Sequence, residues 1–236
     1  METSSSQENL VPLSASGPWK FAEKYLSPSD RLSEIMYGLI MVLTVTSTVN
    51  IGLTEGEFGT RTMILAALGC NAAWGIVDGV TYVLTSLFDR SRYSKLVSSI
   101  KLAADKNAAL AMIDRELAST VTLSLGGKER KRLAAEVLRS ISAITPEKVR
   151  ITVDEILGGF SYFLLVFLSA FVVVVPFFFV GHLRTAIRLS NLLAIGMLFG
   201  IGCEWAKYTD RNRLHVGIAM VIIGSIIVII TVALGG

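Results

Sequence analysis

Five apolar stretches of bilayer-spanning length run through this chain, at about residues 33–53, 61–88, 155–180, 187–206 and 214–234. A helix needs ~20 residues to cross the hydrocarbon core, and each stretch is close to that length. Water is absent there, so backbone amides must be satisfied within the segment or within a closed barrel, and runs this long favour helices. The expected fold class is all-α: a polytopic membrane protein of five transmembrane helices. Composition agrees, with 52% hydrophobic and only 17% charged residues in 236, and a mean hydropathy of +0.60. An ordinary soluble domain carries about 25% charge.

An odd number of spans puts the termini on opposite sides, and the distribution of Lys and Arg predicts which side is which. In the five-span arrangement nineteen lie on one side, thirteen of them between residues 89 and 155, and three lie on the other: Arg61, Arg184 and Arg188. The rule weakens for long connections, yet the short segments alone give six against three. An integral membrane protein with its N-terminus in the cytoplasm and its C-terminus opposite is expected. The net charge of +3 does not point to nucleic acid, because the basic residues are sorted by membrane side rather than interleaved with aromatics. No nucleic-acid partner is expected.

Residues 1–30 read as a disordered cytosolic tail, since they lack the cationic start and apolar core of a signal peptide. Residues 31–88 hold the first two spans. Residues 89–154 read as a cytoplasmic helical insert between spans two and three, because LVSSIKLAADKNAALAMIDRELAS and KERKRLAAEVLRSI carry apolar positions at helical spacing. Gly126-Gly127 separates its helices. Thr145-Pro146-Glu147 reads as a helix start with proline in the first turn, which would make the third span an extended helix continuous with the insert. Residues 155–236 hold spans three to five.

The motifs of soluble enzymes are missing: there is no Walker loop, dinucleotide fingerprint, HExxH or GxSxG, and no nucleophile–base pair at matching depth. An enzyme is not expected, nor a resident cofactor. Cys70 and Cys203 sit at different expected depths, and His182 and His215 fall near span ends on opposite sides, so neither a disulfide nor a His/Cys metal cluster is in prospect.

Chemistry concentrates in the first two spans. In GCNAAWGIVDGVTYVL, Asn71, Asp78 and Tyr82 stand at i, i+7 and i+11 on one helical face. An ionisable group at that depth costs ~2.5–3.5 kcal/mol on insertion scales and usually faces a bundle interior or a water-filled path. Asp78 is the leading candidate, with a structural carboxyl bonded to a neighbouring helix as the alternative. In the first span Glu34, Tyr37, Met41, Thr44 and Thr48 share a face and would form a ladder for a divalent cation; the mixture of oxygen and thioether ligands suits Fe²⁺ or Mn²⁺. Equally, Met41 is core filler, the threonines bond between helices, and Glu34 sits among headgroups. Gly69, Gly75 and Gly79 give span two small surfaces for close packing. Glu204 suits a snorkelling ion pair with Lys207 or Arg211. In the insert, Asp114, Glu116, Glu129 and Glu136 are carboxylates amid more numerous bases, and the KERKR run at 128–132 suits anionic lipid better than metal.

This organisation resembles the vacuolar iron transporter family over roughly residues 30–236. The resemblance rests on Gly38-Leu39 in span one, Asn71 and Asp78-Gly79 in span two, RELA at 115–118, PFFF at 176–179, and the last two spans joined by a short basic loop. It implies two spans, a cytoplasmic helical insert and three more spans, in a homodimer that exchanges Fe²⁺ or Mn²⁺ for protons and exports metal from the cytosol. On this chain's own residues the expected transport path runs through Asp78, Glu34, Tyr37, Met41, Asn71 and Tyr82, with Asp78, Glu34, Met41 and Glu116 as the expected metal ligands. The chain departs from the family where an Asp-Gly becomes Tyr37-Gly38, where a methionine and a glutamate become Tyr82 and Ser86, and where the insert is thinned of glutamates. Two other functions fit those departures: a non-transporting membrane protein of the same fold whose basic domain binds lipid or a partner, and a transporter of a different solute.

Overall fold

The computed structural model describes residues 18–52, 59–117, 126–143 and 149–234. Nine α-helices are present among them: α1 (Pro18–Tyr25), α2 (Pro28–Gly52), α3 (Thr60–Lys101), α4 (Lys106–Leu117), α5 (Gly127–Ala143), α6 (Val153–Val174), α7 (Pro176–Phe179), α8 (Leu183–Trp205) and α9 (Arg213–Ala233). The described residues contain no strand, and five helical segments are long and apolar enough to cross a membrane. The protein is an all-α polytopic membrane protein. It divides into two compact units, residues 1–81 with 156–236, and residues 82–155.

The first unit is built on α2, α8 and α9. Leu39, Val42, Met63, Val173, Ile187 and Leu198 are among its fully enclosed apolar side chains. Glycine sets the approach of α8 to α9: a Cβ at Gly202 would lie 2.6 Å from the Cα of Gly217. Polar groups are tied within this core. The Thr46 and Asn191 side chains hydrogen-bond at 2.6 Å between α2 and α8, and the Ser190 hydroxyl donates to the Val173 carbonyl at 2.8 Å. Pro176 lacks the N–H that would continue α6, so the ladder tightens at Val175, whose N–H reaches Val172, and resumes in α7.

Local signals explain where helices begin. Ser27 caps α2: its hydroxyl accepts from the Asp30 N–H at 3.2 Å and contacts the Asp30 carboxylate at 2.7 Å, with Pro28 in the first turn. The first span therefore starts several residues before the apolar run does. Residues 18–25 are helical rather than part of a disordered tail, because Phe21 and Tyr25 stack edge-on, Phe21 meets Phe160, and Ala22 and Leu26 bury against Leu165. Residues 1–17 lie outside the described segments.

In the second unit α3 ends at Lys101, and Asp105 caps α4 by accepting from the Ala108 N–H at 2.7 Å. Ile100, Ala109, Ile113 and Ala134 form its small core. The expected extended start of the third span is not found. Residues 149–152 are non-helical and α6 begins at Val153, while Thr145-Pro146-Glu147 lie outside the described residues. The start is instead a capping box, in which the Glu155 carboxylate accepts from the Thr152 N–H at 2.7 Å and the Thr152 hydroxyl faces the Glu155 N–H at 3.3 Å.

Candidate functional site

The polar centre of the first unit lies where α2 passes α3. The Glu34 carboxyl faces that of Asp78 within hydrogen-bonding reach. Glu34 is 7% exposed and its Oε2 is enclosed without a hydrogen-bond partner. Leaving such an oxygen unsatisfied costs roughly 1–3 kcal/mol. A second orphan oxygen sits further along the same junction. Asn71 is fully buried; its Nδ2 donates to the Ala67 carbonyl at 3.0 Å, and its Oδ1 has no partner. Oδ1 is 3.2 Å from where a Gly38 Cβ would stand, so Glu34 and Gly38, one turn apart on α2, meet Asp78 and Asn71, two turns apart on α3.

Glycines bring these helices together. A Cβ on Gly38 would be 2.1 Å from the Ser169 hydroxyl and 2.9 Å from the Val166 carbonyl; one on Gly79 would be 2.5 Å from the Gly159 carbonyl; one on Gly75 would be 3.0 Å from Phe163 Cα. Gly75 and Gly79 thus serve α3–α6 packing. Gly69, expected to do the same, has nothing within 4 Å.

Arg31, one turn before Glu34, is also buried and pairs with Glu23 at 3.3 Å. Asp30 lies near enough to act on Glu34 electrostatically. The junction therefore holds carboxyl groups from both helices and one guanidinium at its α2 end. Two carboxylates in contact repel, so this pair is suited to share either a proton or a cation.

Other predicted residues are placed elsewhere. Tyr37 is 49% exposed although it stands only about 60° around α2 from Glu34, so it lies at the edge of the buried face rather than within it. Met41 is half-buried. The Thr44 hydroxyl donates to the Ile40 carbonyl at 2.9 Å and Thr48 is exposed, so the ladder along span one is not assembled into one ligand set. Tyr82 is half-buried and falls in the second unit. Glu116 is ion-paired with Arg92, and Asp114 forms a two-pronged pair with Arg130 at 2.6 and 3.2 Å. Those carboxylates meet arginines rather than one another. Among the described residues no three His, Cys, Asp or Glu side chains cluster as a metal centre.

Sequence reasoning passed over Glu155, which is buried and accepts from Ser86 at 3.0 Å and Arg90 at 2.9 Å as well as from Thr152. Its signal was the T-x-x-E spacing at 152–155. Ser86 serves as one of the Glu155 partners. Glu204 pairs with Lys207 at 2.6 Å, and both His182 and His215 are exposed.

No family model matches this sequence, and no curated protein matches it.

Proposed function

We propose that this chain is a secondary transporter of a divalent metal cation, Fe²⁺ or Mn²⁺, exchanged against protons and exported from the cytosol. The observation that carries the reading is the Glu34–Asp78 carboxyl pair, a buried glutamate facing a half-buried aspartate on two helices long enough to span a membrane, with the Glu34 Oε2 lacking any protein partner. Such groups are expensive in a membrane and persist where an ion or proton passes. With one proton between them the carboxyls share a single negative charge and no longer repel; without it they offer a divalent cation two anionic oxygen donors. One site holding either species, but not both, gives antiport. Met41 and the Asn71 oxygen lie further along the same helices as supplementary donors.

The resemblance to the vacuolar iron transporter family supports the same reading through its order of two spans, insert and three spans, and extends it to a homodimer. The excess of Lys and Arg in the tail, the insert and the loop at 207–213 supports an N-terminus and insert in the cytoplasm. The test is metal uptake into proteoliposomes. An opposing proton gradient should accelerate the wild type, and Asp78→Asn and Glu34→Gln should collapse the flux. Wild-type transport by Asp78→Asn overturns the site.

One observation favours a second reading, a non-transporting membrane protein of this fold. The insert carboxylates Asp114 and Glu116 are held by arginines, and the described residues contain no cluster of three ligating side chains. Calorimetry decides between them: a saturable Fe²⁺ or Mn²⁺ isotherm is expected for the transporter and none for the alternative.

A further inference from the structure

Within the second unit, α5 has two unlike sides. Ala134 is buried with Ile100, Ala109 and Ile113, while Val137, Leu138 and Ile141 pack at the edge of that core. Lys128, Arg132 and Arg139, at i, i+4 and i+11, lie within about 40° of one another on the opposite side of the helix. Lys131 flanks them, and all four are exposed.

The insert sorts its cations. Arg130 turns to the inner side and is held by Asp114, Arg92 is engaged by Glu116, and Arg90 by Glu155. None of the four outer cations forms an ion pair among the described residues. The carboxylates of α5 itself, Glu129 and Glu136, stand to one flank of the stripe, about 40–100° around the helix from its members. On a helix fixed by an apolar core and a two-pronged ion pair, the stripe itself carries only cations, with the two carboxylates at its flank.

We infer that this outer face of α5 binds the headgroups of anionic phospholipids. The unit continues at both of its ends, through α3 and α6, into segments long enough to cross a bilayer, so its cations are tethered to a membrane. The stripe is straight, about 16 Å long from Lys128 to Arg139, and has Ala135 and Ser142 beside it, small side chains that let it lie against a flat array of phosphates. Lys131 lines a cleft between α4 and α5 beside Asp114, a carboxylate that disfavours a polyvalent anion there. Helix α5 contains no aromatic residue, so it lacks the stacking platform that single-stranded nucleic acid requires. Each Lys or Arg near an anionic surface multiplies binding about fivefold. This inference stands apart from metal transport: the spans can carry ions whether or not α5 meets lipid.

The test uses the full chain in nanodiscs of phosphatidylcholine alone and of phosphatidylcholine with phosphatidylserine, with backbone hydrogen exchange followed across residues 127–143. Exchange in α5 should slow several-fold in the anionic discs, with α4 as the internal reference. The difference should vanish in high salt and in the K128Q/K131Q/R132Q/R139Q variant, whose substitutions are all on the solvent side and leave the core and the Asp114–Arg130 pair intact. Equal exchange of the wild type in both discs overturns the proposal. So does a lipid-dependent difference that survives in the fourfold variant. Protection by an added duplex RNA, with none from phosphatidylserine, assigns the face to a different partner and also overturns it.

Discussion

Glu34 and Asp78 belong to different helices, yet their carboxyl groups meet at the junction where Glu34 Oε2 finds no protein hydrogen bond. Neither residue alone distinguishes a functional carboxyl from one at a helix end. Together they form a pair whose mutual repulsion a shared proton or a bound cation would relieve.

The first prediction concerns competition between those two species. A proton must leave before a metal is held by both carboxyls, so Mn²⁺ affinity should fall as pH falls. Glu34→Gln removes one anionic donor and should weaken Mn²⁺ binding by at least about tenfold, since even changes to groups behind a ligand cost 10–100-fold. It should also flatten the pH dependence. Calorimetry of the purified protein at several pH values reads both, and an unaltered pH slope in Glu34→Gln would remove Glu34 from the site.

The second prediction separates packing from chemistry. Gly79→Ala puts a methyl group 2.5 Å from the Gly159 carbonyl, a backbone atom that cannot rotate away, and should cost about 1–3 kcal/mol by overpacking. Gly69→Ala meets nothing within 4 Å and should be neutral or gain up to ~1 kcal/mol of helix propensity. Thermal unfolding in detergent, followed by tryptophan fluorescence, should rank Gly79→Ala below wild type and Gly69→Ala at or above it.

At the start of α6, Thr152→Ala should cost about 1 kcal/mol as a lost cap. Glu155→Gln should cost roughly 1–3 kcal/mol, because the carboxylate accepts from Ser86, Arg90 and Thr152 together. Hydrogen exchange confined to residues 153–157 should rise in both variants. If exchange rises equally throughout α6, the box is not what holds this helix start.

The five spans were legible because hydropathy over twenty residues records the solvent each segment meets, and neighbouring side chains barely alter it. Starts of helices were less so: Ser27 and Thr152 act through single hydrogen bonds, and a proline motif at 145–147 looked stronger than the T-x-x-E that begins α6. Helical spacing placed Asp78 and Asn71 on one face but also aligned Tyr37 with Glu34, which the packing of α2 separates. Periodicity describes one helix at a time. Which face meets a neighbour depends on contacts such as Gly38 against Ser169, whose partners are far apart in sequence.

The last prediction follows from one such distant contact. Thr46 is fully buried in α2, and its hydroxyl lies 2.6 Å from Asn191 Oδ1 in α8 and 3.1 Å from the Leu43 carbonyl. In hydrocarbon a lost partner leaves the other group without water to replace it, yet measured interhelical hydrogen bonds average only ~0.6 kcal/mol and reach ~1.7 kcal/mol. Thr46→Val keeps the shape and removes the donor, and Asn191→Leu removes the acceptor. A double-mutant cycle on thermal stability should therefore give a coupling of about 0.5–1.5 kcal/mol, with the double variant less impaired than the sum of the singles. Strict additivity would show that the Thr46 hydroxyl is satisfied by Leu43 alone and that α2 and α8 are held by their apolar surfaces.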